Sequence, residues 1–269
     1  MLIQEEKLKY WIENFYGYGS WSAPIWFIAF EEGGGDTPED VADRINYFQH
    51  NHAVAEPSLC DIREMYKSIR LQIDGPKANL FRDRYDYRFG ENAIQHGLWK
   101  NLIAFAHGFS GESVPDLLSY QQEHFALPTS KEALINLYPL PSPHNHAWYY
   151  SWLDLPELSF IKSREVYQQT IFKKRIETIL TNINHYKPRI VVMYGMQNIN
   201  LLKEAIVGRF TNATFRLVKA QPRVVPQHHI TSINNCSLVI TSQVPALKHG
   251  RIETGFDWNF FGEKMRTSI

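Results

Sequence analysis

An apolar run that stops abruptly is the feature that most constrains the fold of this chain. Residues 26–30 read Trp-Phe-Ile-Ala-Phe and are followed at once by Glu31, Glu32, three glycines beginning at Gly33, and Asp36. Such a run, bounded by turn residues, is typical of a buried strand. Glycines let the backbone turn sharply and approach a ligand closely, and ligands of open α/β sheets bind beyond the carboxyl ends of strands. The pattern therefore predicts a buried strand that ends in a ligand-binding turn.

Strands alternate with helical segments along the rest of the chain. The strand predictions are 24–30, 133–138, 188–195, 215–218 and 238–241. Their apolar runs lack period-two alternation, which favours a parallel sheet covered on both faces. We expect an α/β fold, a three-layer sandwich around a central, mostly parallel sheet of four or five strands. The absence of repeats and of a linker in the sequence predicts a single domain over residues 1–269.

Apolar spacing and capping residues predict the helices. Thr37 followed by Pro38 is typical of a helix start, and Ser163 is expected to begin a long amphipathic helix that continues to about 185. The other helix predictions are 4–16, 58–73, 93–107, 197–208 and 257–265. Glycine and polar residues predict loops at 16–20 and 74–92.

Composition argues against several classes of protein. Lys and Arg number 28, and Asp and Glu also number 28, so net charge alone does not predict a polyanion-binding protein. Cys60 and Cys236 lie far apart without metal-binding spacing, which favours a reducing cytosolic compartment. The first ten residues do not resemble a signal peptide, and no apolar stretch approaches the ~20 residues of a membrane span. We expect a cytoplasmic monomer with no membrane contact.

One long segment carries no acidic residue. Between Ala205 and Ile252 there is no Asp or Glu. The basic residues and histidines of the segment are Arg209, Arg216, Lys219, Arg223, His228, His229, Lys248, His249 and Arg251. Charge blocks of one sign commonly mark interaction surfaces, and this one favours an anion. The alternative is a solvated face paired with acids from elsewhere in the chain.

Four segments fall in an order that resembles the uracil-DNA glycosylase superfamily. One strand ends in an acid-and-glycine turn, a second in Asn-x-x-Pro-Leu, a third in glycine after a Lys-Pro start, and a fourth in a proline-containing loop. These segments are 30–34, 136–140, 187–195 and 241–247. The asparagine step is similar to the single-strand-selective branch, and the Glu31 turn is similar to the thermostable bacterial branch. The similarity covers most of the chain in the order of its elements.

The resemblance implies both a fold and an activity. Members of the superfamily have a four-stranded parallel sheet between helices, with the active site at the carboxyl ends of the strands. They flip uracil or a related base out of DNA, because the target atom is unreachable inside the stack. They then hydrolyse the N-glycosidic bond without a metal. The resemblance therefore implies DNA or a nucleotide-like ligand as the partner, and no cofactor.

The first motif supplies the residues for water activation. By resemblance, Glu31 matches the turn residue that handles the attacking water, a task that suits a carboxylate because it accepts or orients a water proton. Glu32 and Gly33 would hold the loop over the glycosidic bond, with Glu31 as the working acid. Phe30 is a candidate for stacking on the base, although a Phe at a strand end is more often part of the core.

The second motif supplies the residue that reads the base. By resemblance, Asn136 matches the base-binding asparagine, and its amide offers one acceptor and two donors to the edge of a uracil. The alternative is an asparagine buried near a strand end and hydrogen-bonded to the backbone. Pro139 of this motif and Pro245 of the fourth motif complete the predicted substrate-binding residues.

The fourth motif departs from the family pattern. The family has His-Pro-Ser there, with the histidine stabilising the negative charge that develops on the base. This chain has Val-Pro-Ala at 244–246. Gln243 and His249 are the candidates to replace that histidine; otherwise the substrate differs or catalysis is lost. Losing a preorganised donor typically costs roughly 10²–10³ in rate.

Nucleic-acid contacts are predicted in the loop after this motif. By analogy with the family, Leu247 would wedge into the DNA, and Lys248 and Arg251 would contact phosphates. The aromatic residues of 148–152 would either stack on exposed bases or cover an edge of the core.

Other chemistries find no support in the sequence. His144 and His146 form a His-x-His pair, but no cysteine partners or His-Glu-x-x-His spacing accompany it, so we expect no metal. There is no Gly-x-Ser-x-Gly elbow and no P-loop, and the glycines at 33–35 lack dinucleotide-binding spacing.

Two functions remain open from the sequence. The first is an enzyme that hydrolyses the N-glycosidic bond of a damaged or deaminated base. The second is a catalytically inactive protein that binds nucleic acid or a nucleotide on the same fold, which the missing histidine favours. Convergence of Glu31, Asn136, Gln243 and His249 on one pocket would favour the enzyme, whereas a pocket filled by Phe30 or Trp148 would favour the binding protein.

Overall fold

One sheet contains the strands of the described residues. The computed structural model describes residues 2–69, 83–143, 148–246 and 255–267. The strands are β1 Phe15–Tyr18, β2 Ile25–Glu31, β3 Ser58–Cys60, β4 Glu132–Tyr138, β5 Ile190–Tyr194, β6 Arg216–Val218, β7 His228–Ile233 and β8 Cys236–Ile240. Helices separate most of these strands along the chain, so the α/β class is confirmed.

The sheet is wider and more mixed than the sequence predicts. Its strand order is β3-β1-β4-β2-β5-β8-β7-β6. The inner strands β4, β2, β5 and β8 are parallel to one another. The outer strands add antiparallel pairs, β1 with β4, β7 with β8 and β6 with β7, and β1 pairs in parallel with β3. A mostly parallel sheet of four or five strands is therefore wrong for the whole sheet, and the three-layer sandwich stays a prediction.

The inner strands are the four that carry the motifs. In β2, Ala29 lies opposite Asn136 of β4 on one side and opposite Tyr194 of β5 on the other. Residues of these strands are buried almost without alternation, as expected for strands covered on both faces. Because they run parallel, their carboxyl ends meet at one edge of the sheet. That edge collects the turn after Glu31 and the loops after β4, β5 and β8.

Helices occupy the connections between these strands. They are α1 Glu5–Asn14, α2 Pro38–Asn51, α3 Ile62–Ser68, α4 Arg84–Phe89, α5 Trp99–Ser110, α6 Leu117–Glu123, α7 Arg164–Tyr186, α8 Ile199–Arg209 and α9 Trp258–Thr267. Short 3₁₀ segments, Tyr149–Trp152 and Pro156–Lys162, lie between β4 and α7. Within the described ranges, no helix combines the length and the apolar character needed to cross a membrane.

Two predicted helix starts are confirmed by their caps. Thr37 Oγ1 accepts a hydrogen bond from the backbone N–H of Asp40 at 3.2 Å, and Pro38 occupies the first helical position. Ser163 Oγ accepts one from the N–H of Val166 at 3.4 Å. Each hydroxyl group satisfies a donor that the first turn leaves unpaired. These caps fix the starts of α2 and α7, the helices that reach the candidate site.

Several predicted element boundaries are wrong. The predicted loop at 16–20 contributes to β1, and the described part of the predicted helix at 58–73, which ends at residue 69, is β3 followed by α3. Part of the predicted loop at 74–92 is α4, and the helix predicted at 93–107 is α5, which starts later and continues past Gly108. The sequence patterns give no indication of β7 or α6.

Gly17 shows why β1 is missed. Its φ is +134°, and a Cβ at this position would lie 2.0 Å from the carbonyl oxygen of Leu134 in β4. Glycine in a sequence usually indicates a turn, but here its missing side chain lets two strands approach closely. Glycine at this position therefore indicates a loop when only the sequence is considered, although the residue belongs to a strand that packs closely against β4.

A buried arginine fixes the backbone of β4. Arg175 of α7 is 1% exposed and donates hydrogen bonds to the carbonyl oxygens of Asn136 at 2.6 Å, Leu137 at 3.0 Å and Phe15 at 2.8 Å. Its guanidinium group lies 3.4 Å from the ring centroid of Tyr16. Burial lowers the pKa of this guanidinium, while the carbonyl dipoles stabilise its charge. The backbone at Asn136 is thus held in place by the protein itself.

Candidate functional site

A cavity of about 480 Å³ lies at the carboxyl ends of the inner strands. The ends of β2, β4 and β5, the helices α2, α4 and α5, and the loop after β8 all contribute to its walls. Lining residues include Phe30, Glu31, Glu32, Gly33, Gly34, Asp36, Arg44, Arg84, Arg88, His96, Trp99, Asn136, Tyr194, Gln197 and Val244. This volume is typical of a site for a small molecule and is too small for a double helix.

Glu31 ends β2 with one carboxylate oxygen unused. Its Oε1 lies 3.5 Å from Nη1 of Arg164, whereas its Oε2 is buried without a hydrogen-bond partner among the described residues. Burial raises the pKa of this carboxyl group, and Arg164 opposes that shift. A buried oxygen without a partner needs an explanation, and a ligand or a bound water would provide it.

Glu32, the next residue, has both oxygens engaged. The Tyr18 hydroxyl lies 2.9 and 3.0 Å from the two carboxylate oxygens, and Arg44 Nη1 donates to Oε1 at 2.7 Å. The carboxylate is thus held by a hydroxyl group and by a guanidinium that is itself only 1% exposed. Glu31 is therefore the acid of this pair with an oxygen left for chemistry.

The Glu32–Arg44 pair continues into a chain of buried charges. Arg44 Nε donates to Asp40 at 2.5 Å, and Arg84 donates to Asp40 at 3.3 Å and also to Asp36. Burial alone would lower the pKa of Arg44, but the carboxylates of Asp40 and Glu32 outweigh it and raise that pKa well above its usual range. Burial would raise the pKa of Asp40, but Arg44 and Arg84 lower it. These contacts join α2 and α4 to the turn after β2.

Two of the three turn glycines adopt backbone conformations that favour glycine. Gly34 has φ +121° and Gly35 has φ +68°. A Cβ on Gly34 would lie 3.1 Å from Nη2 of Arg44, and one on Gly35 would lie 3.1 Å from the carbonyl oxygen of Pro141. At Gly33, which lines the cavity, a Cβ would meet nothing within 4 Å. The turn therefore packs against α2 and the loop after β4, and Gly33 borders open space.

Asn136 lines the same cavity as Glu31. It is 5% exposed, and its backbone carbonyl accepts the bond from Arg175. Its side-chain amide forms no hydrogen bond with the described residues, so the backbone-bonded alternative is not what these residues provide. An amide with unused donors and an unused acceptor at the wall of a cavity is suited to binding a polar ligand.

Phe30 and Pro139 occupy different surroundings. Phe30 lines the cavity and packs edge-on against Tyr138, with 4.9 Å between the ring centroids, so it borders both the cavity and the core. Pro139 is not among the described residues of the lining. Its carbonyl oxygen accepts a hydrogen bond from Nε1 of Trp11 at 2.9 Å. Pro139 thus ties the end of β4 to α1.

The loop after β8 brings Val244 to the described cavity wall, and not Gln243. The carbonyl oxygen of Gln243 accepts a hydrogen bond from the N–H of Gly195 at 3.0 Å. The carbonyl oxygen of Pro245 accepts one from Asn101 of α5 at 2.8 Å. Both residues therefore hold the loop against its neighbours, and the described lining contains neither of them.

Part of the predicted nucleic-acid surface falls outside the described residues. Those predictions concern Leu247, Lys248, His249 and Arg251, and the His144 and His146 pair also lies outside. Of the cations inside, Lys219 and Arg223 are exposed and follow β6. Because β6 runs antiparallel to β7 and β7 antiparallel to β8, these two cations lie at the same edge of the sheet as the cavity.

The aromatic residues of 148–152 differ in their exposure: some cover the core, and one is open to solvent. Trp148 donates a hydrogen bond through Nε1 to the carbonyl oxygen of Ile161 at 2.6 Å, and Tyr150 is buried. Trp152 is 85% exposed. Trp148 is not among the described lining residues, so it does not fill the cavity.

The helices α4 and α5 supply a wall that no sequence motif predicts. Arg88, His96 and Trp99 line it. The His96 ring stacks on Trp99 with 4.4 Å between centroids, and the Arg88 guanidinium lies 5.8 Å from the Trp99 centroid. Arg88 is not marked because 74–92 has the composition of a loop, and His96 and Trp99 lie in the predicted helix at 93–107 without a recognisable motif.

Arg44 is a missed site residue with a detectable signal. It falls between Val41 and Ile45 on the buried face of α2. A charge on an apolar helix face needs a buried partner, and Asp40 stands four residues earlier, at a spacing that brings side chains together. Arg164 carries no comparable signal, since it is the first residue of α7.

Comparison with known proteins gives this chain no relative. No family model, no curated protein and no solved structure matches it. The residues of the cavity therefore carry the functional inference by themselves.

Proposed function

We propose that the cavity hydrolyses the N-glycosidic bond of a damaged or deaminated base, as in uracil-DNA glycosylases. The carrying observation is that Glu31 and Asn136, which come from separate motifs, line one cavity and both keep unused hydrogen-bonding atoms. No described residue hydrogen-bonds to Oε2 of Glu31 or to the side-chain amide of Asn136. Their side chains are therefore available to a ligand.

Glu31 is assigned to the attacking water. Its unpartnered Oε2 accepts a proton from a water molecule whose oxygen attacks the sugar carbon. The bond from that carbon to the base nitrogen breaks, and its electron pair leaves with the base. The proton taken by Glu31 returns through solvent to the departing base, which balances the hydrolysis. Arg164, at 3.5 Å from Oε1, holds the carboxylate without occupying its second oxygen.

Asn136 is assigned to recognition of the base. Its amide presents an acceptor and two donors, the pattern that a carbonyl and a ring N–H of uracil complement. Phe30 lines the same cavity and offers an aromatic face or edge to a planar ring. The cavity has room for one nucleotide unit, so a base in duplex DNA would have to leave the stack to enter.

Cleavage of oligonucleotides tests this function. Single-stranded and double-stranded oligonucleotides that carry uracil, hypoxanthine or xanthine are incubated with the protein and then with alkali. We expect strand breaks at abasic sites from at least one of them, and none from E31Q. Glu91→Gln, at an exposed acid, is the matched control. The absence of abasic product from every substrate in both strand states would contradict the proposal.

A binding protein without turnover is the second candidate. Val244 brings an apolar side chain where a donor would be expected, and Lys219 and Arg223 are exposed at the edge of the sheet that holds the cavity. This candidate requires salt-dependent binding of single-stranded DNA, with a log–log slope that falls by about 0.7 for each phosphate contact removed.

Charge reversal tests this second candidate. K219E/R223E should weaken binding measured by fluorescence anisotropy. Lys187→Glu is the matched control, because Lys187 precedes β5 and lies at the opposite edge of the sheet. The corresponding reversals of Lys248 and Arg251, which lie outside the described residues, extend the test to the other cations of the acid-free segment. Binding that survives all of these reversals unchanged would contradict an electrostatic role for this surface.

A further inference from the structure

His96 is held in one orientation at the cavity wall. Its Nδ1 accepts hydrogen bonds from the backbone N–H groups of Leu98 and Trp99, both at 3.3 Å. Its own backbone N–H donates to Oε1 of Gln121 at 2.8 Å, and its ring stacks on Trp99. The imidazole thus caps the start of α5 from two residues before the N-cap position, Leu98, whose own side chain makes no capping bond. Its ring has little freedom to rotate.

These contacts determine which ring nitrogen carries the proton. Nδ1 accepts two bonds, so the proton of the neutral imidazole lies on Nε2. Burial, and then the neighbouring Arg88 guanidinium, lower the pKa of His96 to about 3, so the ring is neutral at physiological pH. Nε2 has no hydrogen-bond partner among the described residues. Nε2–H is therefore a fixed, neutral donor on a residue that lines the cavity with Glu31 and Asn136.

The proposed reaction needs a donor of this kind. When the N-glycosidic bond breaks, the electron pair that stays on the base spreads to its carbonyl oxygens. A donor already in position stabilises that charge without reorganising as the reaction proceeds. Three other donors of the lining are engaged elsewhere: Arg44 and Arg84 bond to Asp40, and Tyr18 donates to Glu32.

We propose that His96 is the catalytic donor to the leaving base. Its Nε2–H hydrogen-bonds to a carbonyl oxygen of the base while negative charge develops there, and the proton stays on the imidazole throughout. This assignment rests on the proposed hydrolysis. It gives to the start of α5 the role for which the Val-Pro-Ala loop at 244–246 has no side chain.

Two substitutions separate the cap from the donor. In His96→Asn, the side-chain oxygen reaches the position of Nδ1 and caps α5, but nothing reaches the position of Nε2. In His96→Gln, the amide nitrogen reaches the position of Nε2, but the cap is lost. If His96 is purely structural, H96N, which keeps the cap, should be the more active variant. If His96 is catalytic, H96Q, which keeps the donor, should be the more active variant.

The expected result is a crossed pattern of stability and rate. H96N should unfold at a denaturant concentration close to that of the wild type and lose roughly 10²–10³ in single-turnover rate. H96Q should unfold at a lower denaturant concentration and cleave at least about tenfold faster than H96N. His124→Asn, at an exposed histidine, is the control for both measurements. A wild-type rate in H96N, or a rate in H96Q no higher than in H96N, would overturn the assignment.

A binding measurement keeps this inference separate from the proposed hydrolysis. Free uracil is titrated into ¹⁵N-histidine-labelled full-length protein, and the Nε2 resonance of His96 is followed, with H96N used for its assignment. We expect uracil to shift this resonance and to bind at least about tenfold more weakly to H96N. If both results hold and no substrate is cleaved, hydrolysis fails and the donor stands. If cleavage occurs and uracil leaves the resonance unchanged, the donor fails and hydrolysis stands.

Discussion

Glu31 and Glu32 are neighbours in the chain, yet they meet different helices. Successive side chains of a strand point to opposite faces, so Glu31 contacts Arg164 of α7 and Glu32 contacts Arg44 of α2. The second contact is at 2.7 Å and is reinforced by Tyr18, whereas the first is at 3.5 Å and leaves one oxygen without a described partner.

One strand end therefore supplies both a structural ion pair and a reactive group. Glu32 is bonded on both oxygens and holds the turn to α2, so its loss should be measured in stability. Glu31 has one ion pair, at 3.5 Å, and keeps an oxygen for water, so its loss should be measured in rate. A variant that exchanges these effects would break the comparison.

Glu31→Gln should show the largest effect on activity. The amide cannot accept a proton from water, so the single-turnover rate should fall by roughly 10²–10⁴ while thermal unfolding changes little. In the wild type, the rate should rise with pH through the raised pKa of Glu31, since only the carboxylate accepts the proton. An E31Q protein that keeps the wild-type rate, or that unfolds, would reverse the roles given to the two acids.

Arg44→Met should show the largest effect on stability. It leaves the buried Glu32 and Asp40 carboxylates without their shared cation, so the free energy of unfolding should fall by roughly 3–5 kcal/mol. Urea denaturation measures this change. Lys67→Met, which breaks the exposed pair with Glu64, should cost less than about 1 kcal/mol. Equal effects in the two variants would contradict a structural role for the buried pair.

Glu132→Gln extends the comparison to an acid at the other end of β4. Tyr120 and the backbone N–H of Ala126 donate to Glu132, and burial raises its pKa to about 7. The folded state therefore holds this proton more tightly than the unfolded state does. The resulting stability is complete below the unfolded pKa of 4.5 and is lost as pH rises through about 7.

The size of this pH effect follows from the pKa difference. Wild-type protein should lose at most roughly 3 kcal/mol of unfolding free energy between acidic and alkaline pH, and E132Q should lose much less. Denaturation at a series of pH values measures both proteins. A wild type and an E132Q variant with the same pH dependence would show that folding does not raise the pKa of Glu132.

Asn136→Ala should have the smallest effect of the four on the free-energy scale. Its side-chain amide bonds to no described residue, so folding should change little, while transition-state binding should weaken by roughly 1–3 kcal/mol because the amide no longer pairs with the base. The ratio of kcat/KM between N136A and wild type measures this loss. If N136A has the same kcat/KM as the wild type, Asn136 does not recognise the base.

Local patterns predict the inner part of the fold because its signals are local. The strand runs at 25–31 and 190–194 are buried on both faces, and the caps at Thr37 and Ser163 bond within their own first turns. β1 is missed because Gly17 is explained only by its contact with Leu134, far along the chain. Short edge strands lack the apolar runs that mark the inner ones.

In the site, too, local sequence indicates some residues, and others depend on contacts between distant parts of the chain. Glu31 and Asn136 are predictable because each stands at the end of an apolar strand, and parallel strands bring such ends together. His96 is missed because its role depends on Trp99 stacking and on the fold of α4 and α5 around the cavity. Gln243 has a promising position in the sequence, but the described wall is formed by its neighbour Val244.

The central place of β2 in the sheet also has a consequence in time. β2 is made before β4 and β5, the strands with which it pairs, and both lie much later in the chain. A ribosome adds about 5–20 residues per second, so on the order of ten seconds pass before the first of these partners exists. Until then, the apolar strand that ends at Glu31 is an aggregation-prone part of the nascent chain. The cavity cannot close before β8 has left the ribosome, because Val244 of its wall follows that strand.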